Sequence, residues 1–266
     1  MRRSSIACLL SAVTLAVWGA GCSEPTFSVP TVPVGVLSVF SRSQSGAYIA
    51  RPQGLFALAE SAPSADSRST ADTCQLGPYV PQSTIPSVEQ INAGDSILFD
   101  VAGSASTVLR PINEFGIIVY ATVPREIGFT PGAEVRFTVP GVPGGFPESE
   151  ITSLTPSAIT SLSPIPSRPS LEQPLTVSWE PAGDDSSRFE VLLIYAAQGA
   201  NAYNQQLVCD WRDDGAGTIR SELLGGWSLS EDQRIEVTRY RTQRQELGGA
   251  FLMLLTTFDT LPPLAP

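Results

Sequence analysis

No histidine and no lysine occurs anywhere in the 266 residues, and all 16 basic side chains are arginine. Without imidazole there is no Ser-His-Asp or Cys-His nucleophile and no imidazole metal site. Without a primary-amine side chain there is no Schiff base, no Ser-Lys dyad and no P-loop lysine. Charged residues make up only 16% of the chain and aromatic ones 8%. What the composition leaves open is carboxylate chemistry, or binding with no chemistry at all.

Arg2 and Arg3 form a short positive segment, and Ile6 to Val17 is then uncharged and mostly apolar. Its 12 residues fall in the range of a secretory hydrophobic segment, about 7–15, and well short of the ~20 a membrane-spanning helix needs. The small residues that follow, Gly19-Ala20-Gly21 before Cys22, resemble the signal of bacterial lipoproteins, in which the cysteine is diacylated and becomes the mature N-terminus. The resemblance implies a signal peptide over 1–21, lipidation at Cys22 and a chain held at the bilayer by its acyl groups. Ser23 after the cysteine, where aspartate is absent, implies by the same resemblance the outer membrane of a diderm bacterium. The other reading is an ordinary cleaved signal with an incidental cysteine.

From Cys22 onward the chain has 245 residues (266 − 21) and carries 14 arginines against 26 carboxylates, net −12. So negative a surface argues against nucleic acid and against a broad electrostatic hold on anionic lipid. On that resemblance Cys8 of the four cysteines goes with the signal and Cys22 with the lipid, which leaves Cys74 and Cys209. An exported chain keeps its disulfides, so these two are a disulfide candidate. The alternative is two buried thiols acting as small hydrophobes.

Residues 22–34, with Pro25, Pro30 and Pro33, read as an extended tether. Val36 to Phe40 is strand-like, Gly54 to Leu58 is a weaker strand, and Glu60 to Thr73 is a polar loop leading to Cys74. Asp95 to Val101 places Ile97, Phe99 and Val101 on one face. Glu134 to Val139 turns Val135, Phe137 and Val139 inward and Arg136 and Thr138 outward. Gly116 to Tyr120 is apolar throughout, the pattern of a strand covered on both faces. Between Thr152 and Ser170, 13 of 19 residues are Ser, Thr or Pro. This shift places a linker at 151–163 between an N-terminal β unit at 35–150 and a C-terminal one at 164–260, with a tail at 261–266.

In the second unit Leu175, Val177 and Trp179 alternate with Thr176, Ser178 and Glu180, and Arg188 to Ala197 reads as a central strand. Arg234 to Thr242 and Ala250 to Phe258 bracket a terminal hairpin turn at Glu246 to Gly249. The order Leu-x-Val-x-Trp-x-Pro, Leu175 to Pro181, with an aromatic strand after it, resembles a fibronectin type III or related immunoglobulin-like sandwich. The fold class is therefore expected to be all-β, with two β-sandwich-like domains in series.

Three constellations carry possible chemistry. Asp210, Asp213 and Asp214 offer oxygen ligands to a hard cation such as Ca²⁺. Asp-Asp-Gly is equally the composition of a tight turn, which is the favoured reading here and at Asp184-Asp185. Arg234, Arg239, Arg241 and Arg244 are a possible anion-binding patch for acidic groups on a glycan, or charges guarding an edge strand against pairing. Trp211 and Trp227 fall in loops, where aromatics either stack on sugars or are buried beneath the ends of a sandwich.

The expectation, with the lipid anchor implied by the lipoprotein resemblance, is a cell-envelope protein that works by binding, adhesion or structure, without a cofactor. Its partners are the membrane, through the N-terminal lipid, and an envelope protein or glycan. The rival is an envelope glycan hydrolase with a carboxylate pair, which requires a cleft where two acidic side chains converge.

Overall fold

The computed structural model describes residues 31–61, 72–79, 89–102, 104–114, 116–124, 126–200, 202–260, 262 and 264–265. The expected signal peptide over 1–21, Cys22 and residues 23–30 of the expected tether lie outside the described residues, as does most of the polar loop before Cys74, whereas residues 32–34 are not tether but the start of a strand paired along its length.

Ser45 and Gly46 both take positive φ, 52° and 83°, as a tight two-residue hairpin turn requires. β1 (Val32–Gln44) and β2 (Ala47–Ala59) therefore pair along their full 13 residues, well beyond the two short apolar segments legible in the sequence. β3 (Thr73–Pro78), β4 (Ile97–Val101), β5 (Thr107–Glu114), β6 (Ile117–Ala121), β7 (Ile127–Gly128), β8 (Glu134–Val139) and β9 (Ser149–Leu154) follow. The second half contains β10 (Ile165–Pro166), β11 (Leu175–Ser178), β12 (Arg188–Tyr195) and β13 (Gln205–Arg212). It continues with β14 (Ala216–Ile219), β15 (Gln233–Leu247), β16 (Ala250–Thr260) and β17 (Leu264–Ala265). A 3₁₀ turn (Ser221–Leu223) and the five-residue helix α1 (Gly225–Leu229) are the helical elements among the described residues. The fold is all-β.

One mixed sheet runs in the order β3-β13-β12-β15-β16-β1-β2-β6-β5-β4-β8-β9, with β7 on β2. Its parallel step is β16 on β1, with Gly35 opposite Leu252 and Leu37 opposite Leu254. Glycine at 35 lets the strands pack closely, since a Cβ there would stand 2.7 Å from the Phe56 ring and 2.8 Å from Leu252 and would force those side chains to shift. From β16 to β9 the sheet curls until β9 lies beside β15 and β16, and the Thr256 hydroxyl donates to the Leu154 carbonyl at 2.9 Å. The curl encloses a core that includes Leu37, Phe56, Ile97, Phe99, Phe137 and Leu254. From β15 to β3 the same sheet covers the small β11–β14 sheet, around a second core that includes Val177, Trp179, Phe189, Val191, Trp211 and Trp227.

The two cores are not built from consecutive stretches of chain. β16, near the end of the sequence, lines the first core, and β3, from the first half, extends the second half's sheet by pairing with β13. Such pairings are set by register between distant strands, which the alternation within one strand does not encode. The Ser/Thr/Pro-rich segment is itself packed: Ile159 and Leu162 lie against the second core, and the Ser163 N–H donates to the Ser178 carbonyl at 2.7 Å.

β6 is not covered on both faces. Ile118 is 45% exposed while Tyr120, on the same face two residues further on, is buried, because the cover over that face runs out toward the β5–β6 turn. Where β6 diverges from β2, the Gln90 side chain takes the place of a strand. Its Nε2 donates to the Ile118 carbonyl (3.1 Å) and its Oε1 accepts from the Ile118 N–H (2.9 Å).

Candidate functional site

Cys74 on β3 and Cys209 on β13 stand opposite each other in register and form a disulfide, their Cα atoms 4.0 Å apart. The bridge joins the edge strand supplied by the first half to the sheet of the second.

The acidic cluster does not form a cation site. Asp213 turns inward at the end of β13, and Gly215, at φ +102°, lets the chain cross from the large sheet to β14. The Asp213 Oδ1 accepts from the Trp179 indole Nε1 at 2.7 Å and from Arg239 Nη2 at 3.1 Å. Its Oδ2 accepts from the Ala182 N–H at 3.2 Å and stands 2.8 Å from Arg239 Nε, a charge contact whose N–H is not directed at the oxygen. Asp210 serves a separate network, accepting from Arg188 Nε (3.1 Å) and the Tyr240 hydroxyl (2.9 Å). Asp214 is exposed. Among the described residues no group of three or more Cys, Asp or Glu is placed to hold a metal ion.

Nor do the four arginines form one patch or guard an edge. β15 lies inside the sheet, between β12 and β16. Alternation puts Arg239 on the face of Ile235 and Val237, toward the second core, where it is 1% exposed. There its Nη1 donates to the Ser157 hydroxyl (2.9 Å) and the Ala158 carbonyl (3.0 Å), its Nη2 donates to the Glu180 carbonyl, and its guanidinium lies 5.9 Å from the Phe189 ring centre. Arg241 pairs with Asp184 and donates to the Ser187 hydroxyl (3.0 Å). Arg234 pairs with Glu236 at the surface, and Arg244 lies 4.7 Å over the Phe251 ring.

Burial alone would push the Asp184 carboxyl up. The Ser186 and Ser187 hydroxyls and the Arg241 charge outweigh it and hold the group below the usual aspartate range. A carboxyl depressed by folding stabilises the native state above its unfolded pKa, about 3.9, and that contribution is lost as pH falls through the lower folded value. Asp184→Asn is therefore expected to make melting temperature less steeply pH-dependent below about pH 4, read from melts across the acid range. An acid limb as steep as the wild type's would count against it. Asp259 on β16 is the opposite case: burial raises its carboxyl despite hydroxyl donors from Thr238 and Thr257. It sits within the sheet, opposite Arg42.

Both downstream tryptophans are core residues. Trp211 lies within β13 rather than in a loop and is 2% exposed. β14 crosses its face at Gly217, where a Cβ would stand 2.2 Å from the ring. Trp227 is fully buried on α1 and donates its indole N–H to the Pro166 carbonyl at 3.2 Å.

A different group of residues lines an open depression of about 580 Å³ on the outer wall of the curl. Leu98 and Asp100 come from β4, Ser104 and Ser106 from the following loop, and Glu134, Arg136 and Thr138 from β8. Antiparallel register sets Asp100 opposite Arg136 and Leu98 opposite Thr138, and the two-residue period turns all of them away from the core. Sequence reading identifies Arg136 and Thr138 as outward but not their juxtaposition with Asp100. That depends on which strands pair, and the hydrophobic pattern carries no signal for it. Comparison with protein-family models and with curated proteins finds no match to the chain. Among the described residues no helix is long and apolar enough to cross a membrane, which says nothing about crossing with strands.

Proposed function

We propose that this protein is a lipid-anchored cell-envelope protein that acts as a binding or structural module rather than a catalyst. The observation that supports this best is the disposition of the acidic residues most prominent in the sequence. Asp184, Asp210 and Asp213 are each engaged by an arginine from another strand. They brace the fold instead of converging on a substrate. The Cys74–Cys209 bridge fits an oxidising compartment, in keeping with export by the N-terminal leader. Lipid on Cys22 and the tether that precedes β1 hold the folded part near the bilayer.

Metabolic labelling with a fatty-acid analogue tests the anchor. The expected result is a labelled protein in the membrane fraction, with label and membrane association both lost in Cys22→Ser. Unlabelled wild-type protein in the soluble fraction would remove the anchor from the account.

A further inference from the structure

We propose that the depression on β4 and β8 binds a neutral saccharide through a vicinal diol. The inference rests on the binding-module reading and names the ligand class for it. Arg136 differs from the arginines that engage Asp184, Asp210 and Asp213. Arg188, Arg239 and Arg241 all donate hydrogen bonds. Arg136, 46% exposed in its side chain, approaches Asp100 at 3.8 Å and Glu150 at 4.0 Å and donates no hydrogen bond among the described residues. Asp100 is fixed from one side, its Oδ1 accepting from the Ser106 hydroxyl, while its Oδ2 accepts none among the described residues. A guanidinium and an oriented carboxylate, held just too far apart to bond each other, match two adjacent hydroxyls. The carboxylate accepts from one and the guanidinium donates to the other's oxygen.

Charge selects among ligands with that pattern. Asp100, Glu134 and the neighbouring Glu150 outnumber Arg136 by two negative charges, which repels sulfated, phosphorylated and uronate groups. Beside the polar pair, Leu98 and Val108 face each other across β4 and β5, 38% and 44% exposed. They offer an aliphatic surface to the C–H face of a ring, so that a few oriented polar groups stand beside apolar area, the usual composition of a small-ligand site.

Titration calorimetry on the full lipoprotein, in a polyoxyethylene detergent that contributes no sugar, tests this. Maltotetraose, cellotetraose and chitotetraose are the neutral probes and a sulfated heparin tetrasaccharide is the comparator. Saturable binding of at least one neutral probe is expected. Arg136→Met and Asp100→Asn should each weaken it about tenfold or more, the loss of one charge-assisted hydrogen-bond set, with melting temperature unchanged. Arg220→Ala, a remote exposed position, should bind as the wild type does. Neutral binding that survives both site variants would overturn the site and leave the binding-module reading standing. Preference for the sulfated probe, or no saturable neutral binding, would overturn the ligand class. New reducing ends released from a probe would overturn the binding-module reading itself.

Discussion

Asp213→Ala is expected to lower the stability of this protein by about 3–5 kcal/mol, the range seen when one partner of a buried ion pair is removed. The Asp213 side chain is fully buried and that of Arg239 is 1% exposed, so water cannot replace the missing carboxylate. Arg239 would keep its bonds to Ser157, Ala158 and Glu180, but neutral oxygens do not balance its charge. Two further donors, the Trp179 indole and the Ala182 N–H, would lose their acceptor, and an unsatisfied buried donor costs about 1–3 kcal/mol. The loss extends into the aromatic stack, since Trp179 lies flat on Phe189 at 3.8 Å between ring centres and 5.8 Å from Trp211. Removing both charges together in Asp213→Leu/Arg239→Met should be less damaging than Asp213→Ala alone, because no unpaired ion is left behind. Denaturant titration of the three proteins decides the point. A single variant within about 1 kcal/mol of wild type would mean that water reaches Arg239, where the pair's apparent burial predicts the penalty of an isolated charge.

Period-two alternation carried the local structure well. Ile97, Phe99 and Val101 are buried, as are Val135, Phe137 and Val139, with Arg136 and Thr138 turned out as their positions require. Val177 and Trp179 are buried with Thr176 and Ser178 exposed between and beside them. What alternation does not contain is the identity of the neighbouring strand. Nothing within Val32–Gln44 or Ala250–Thr260 specifies that they lie side by side and parallel, so neither the shared sheet nor the route of β16 into the first core was legible. The same gap hid the depression, since Asp100 and Arg136 meet only through the register of β4 on β8. Arg239 failed for another reason. Its parity with Ile235 and Val237 already assigns it to the inward face, but an arginine in a strand is ordinarily taken as solvent-facing. Asp213 signalled the compensating charge, and the turn chemistry of Asp-Asp-Gly masked it, because a turn residue that also faces the core has the same composition as one that does not.

Replacing both bridge cysteines, Cys74→Ala/Cys209→Ala, is the other change with a large expected effect. The two lie 135 residues apart in sequence, and in the chain-entropy picture a loop that long contributes about 5 kcal/mol, the upper end of the range for native disulfides. At about 2–4 °C per kcal/mol for a chain of this size, the melting temperature should fall by roughly 10 °C or more. The structure also indicates where the loss begins. β3 has six residues, Leu76 on it is 52% exposed, and its Cys74 is the side chain that packs against the second core. Without the bridge, β3 keeps its ladder to β13 and the ion pair between Asp72 and Arg212, whose side chains are 38% and 67% exposed. A pair so solvated adds at most about 1 kcal/mol. Alanine is the proper replacement, because Cys209 is fully buried and serine would leave a hydroxyl without a partner. Hydrogen exchange should then show amides of 73–78 and 205–212 losing protection before those of β12 and β15, since an edge strand deprived of its covalent tie opens first. Uniform loss of protection across both cores would instead mean that the bridge acts on the unfolded chain alone. Wild-type protection throughout, with an unchanged melting temperature, would show that the β3–β13 ladder holds without it.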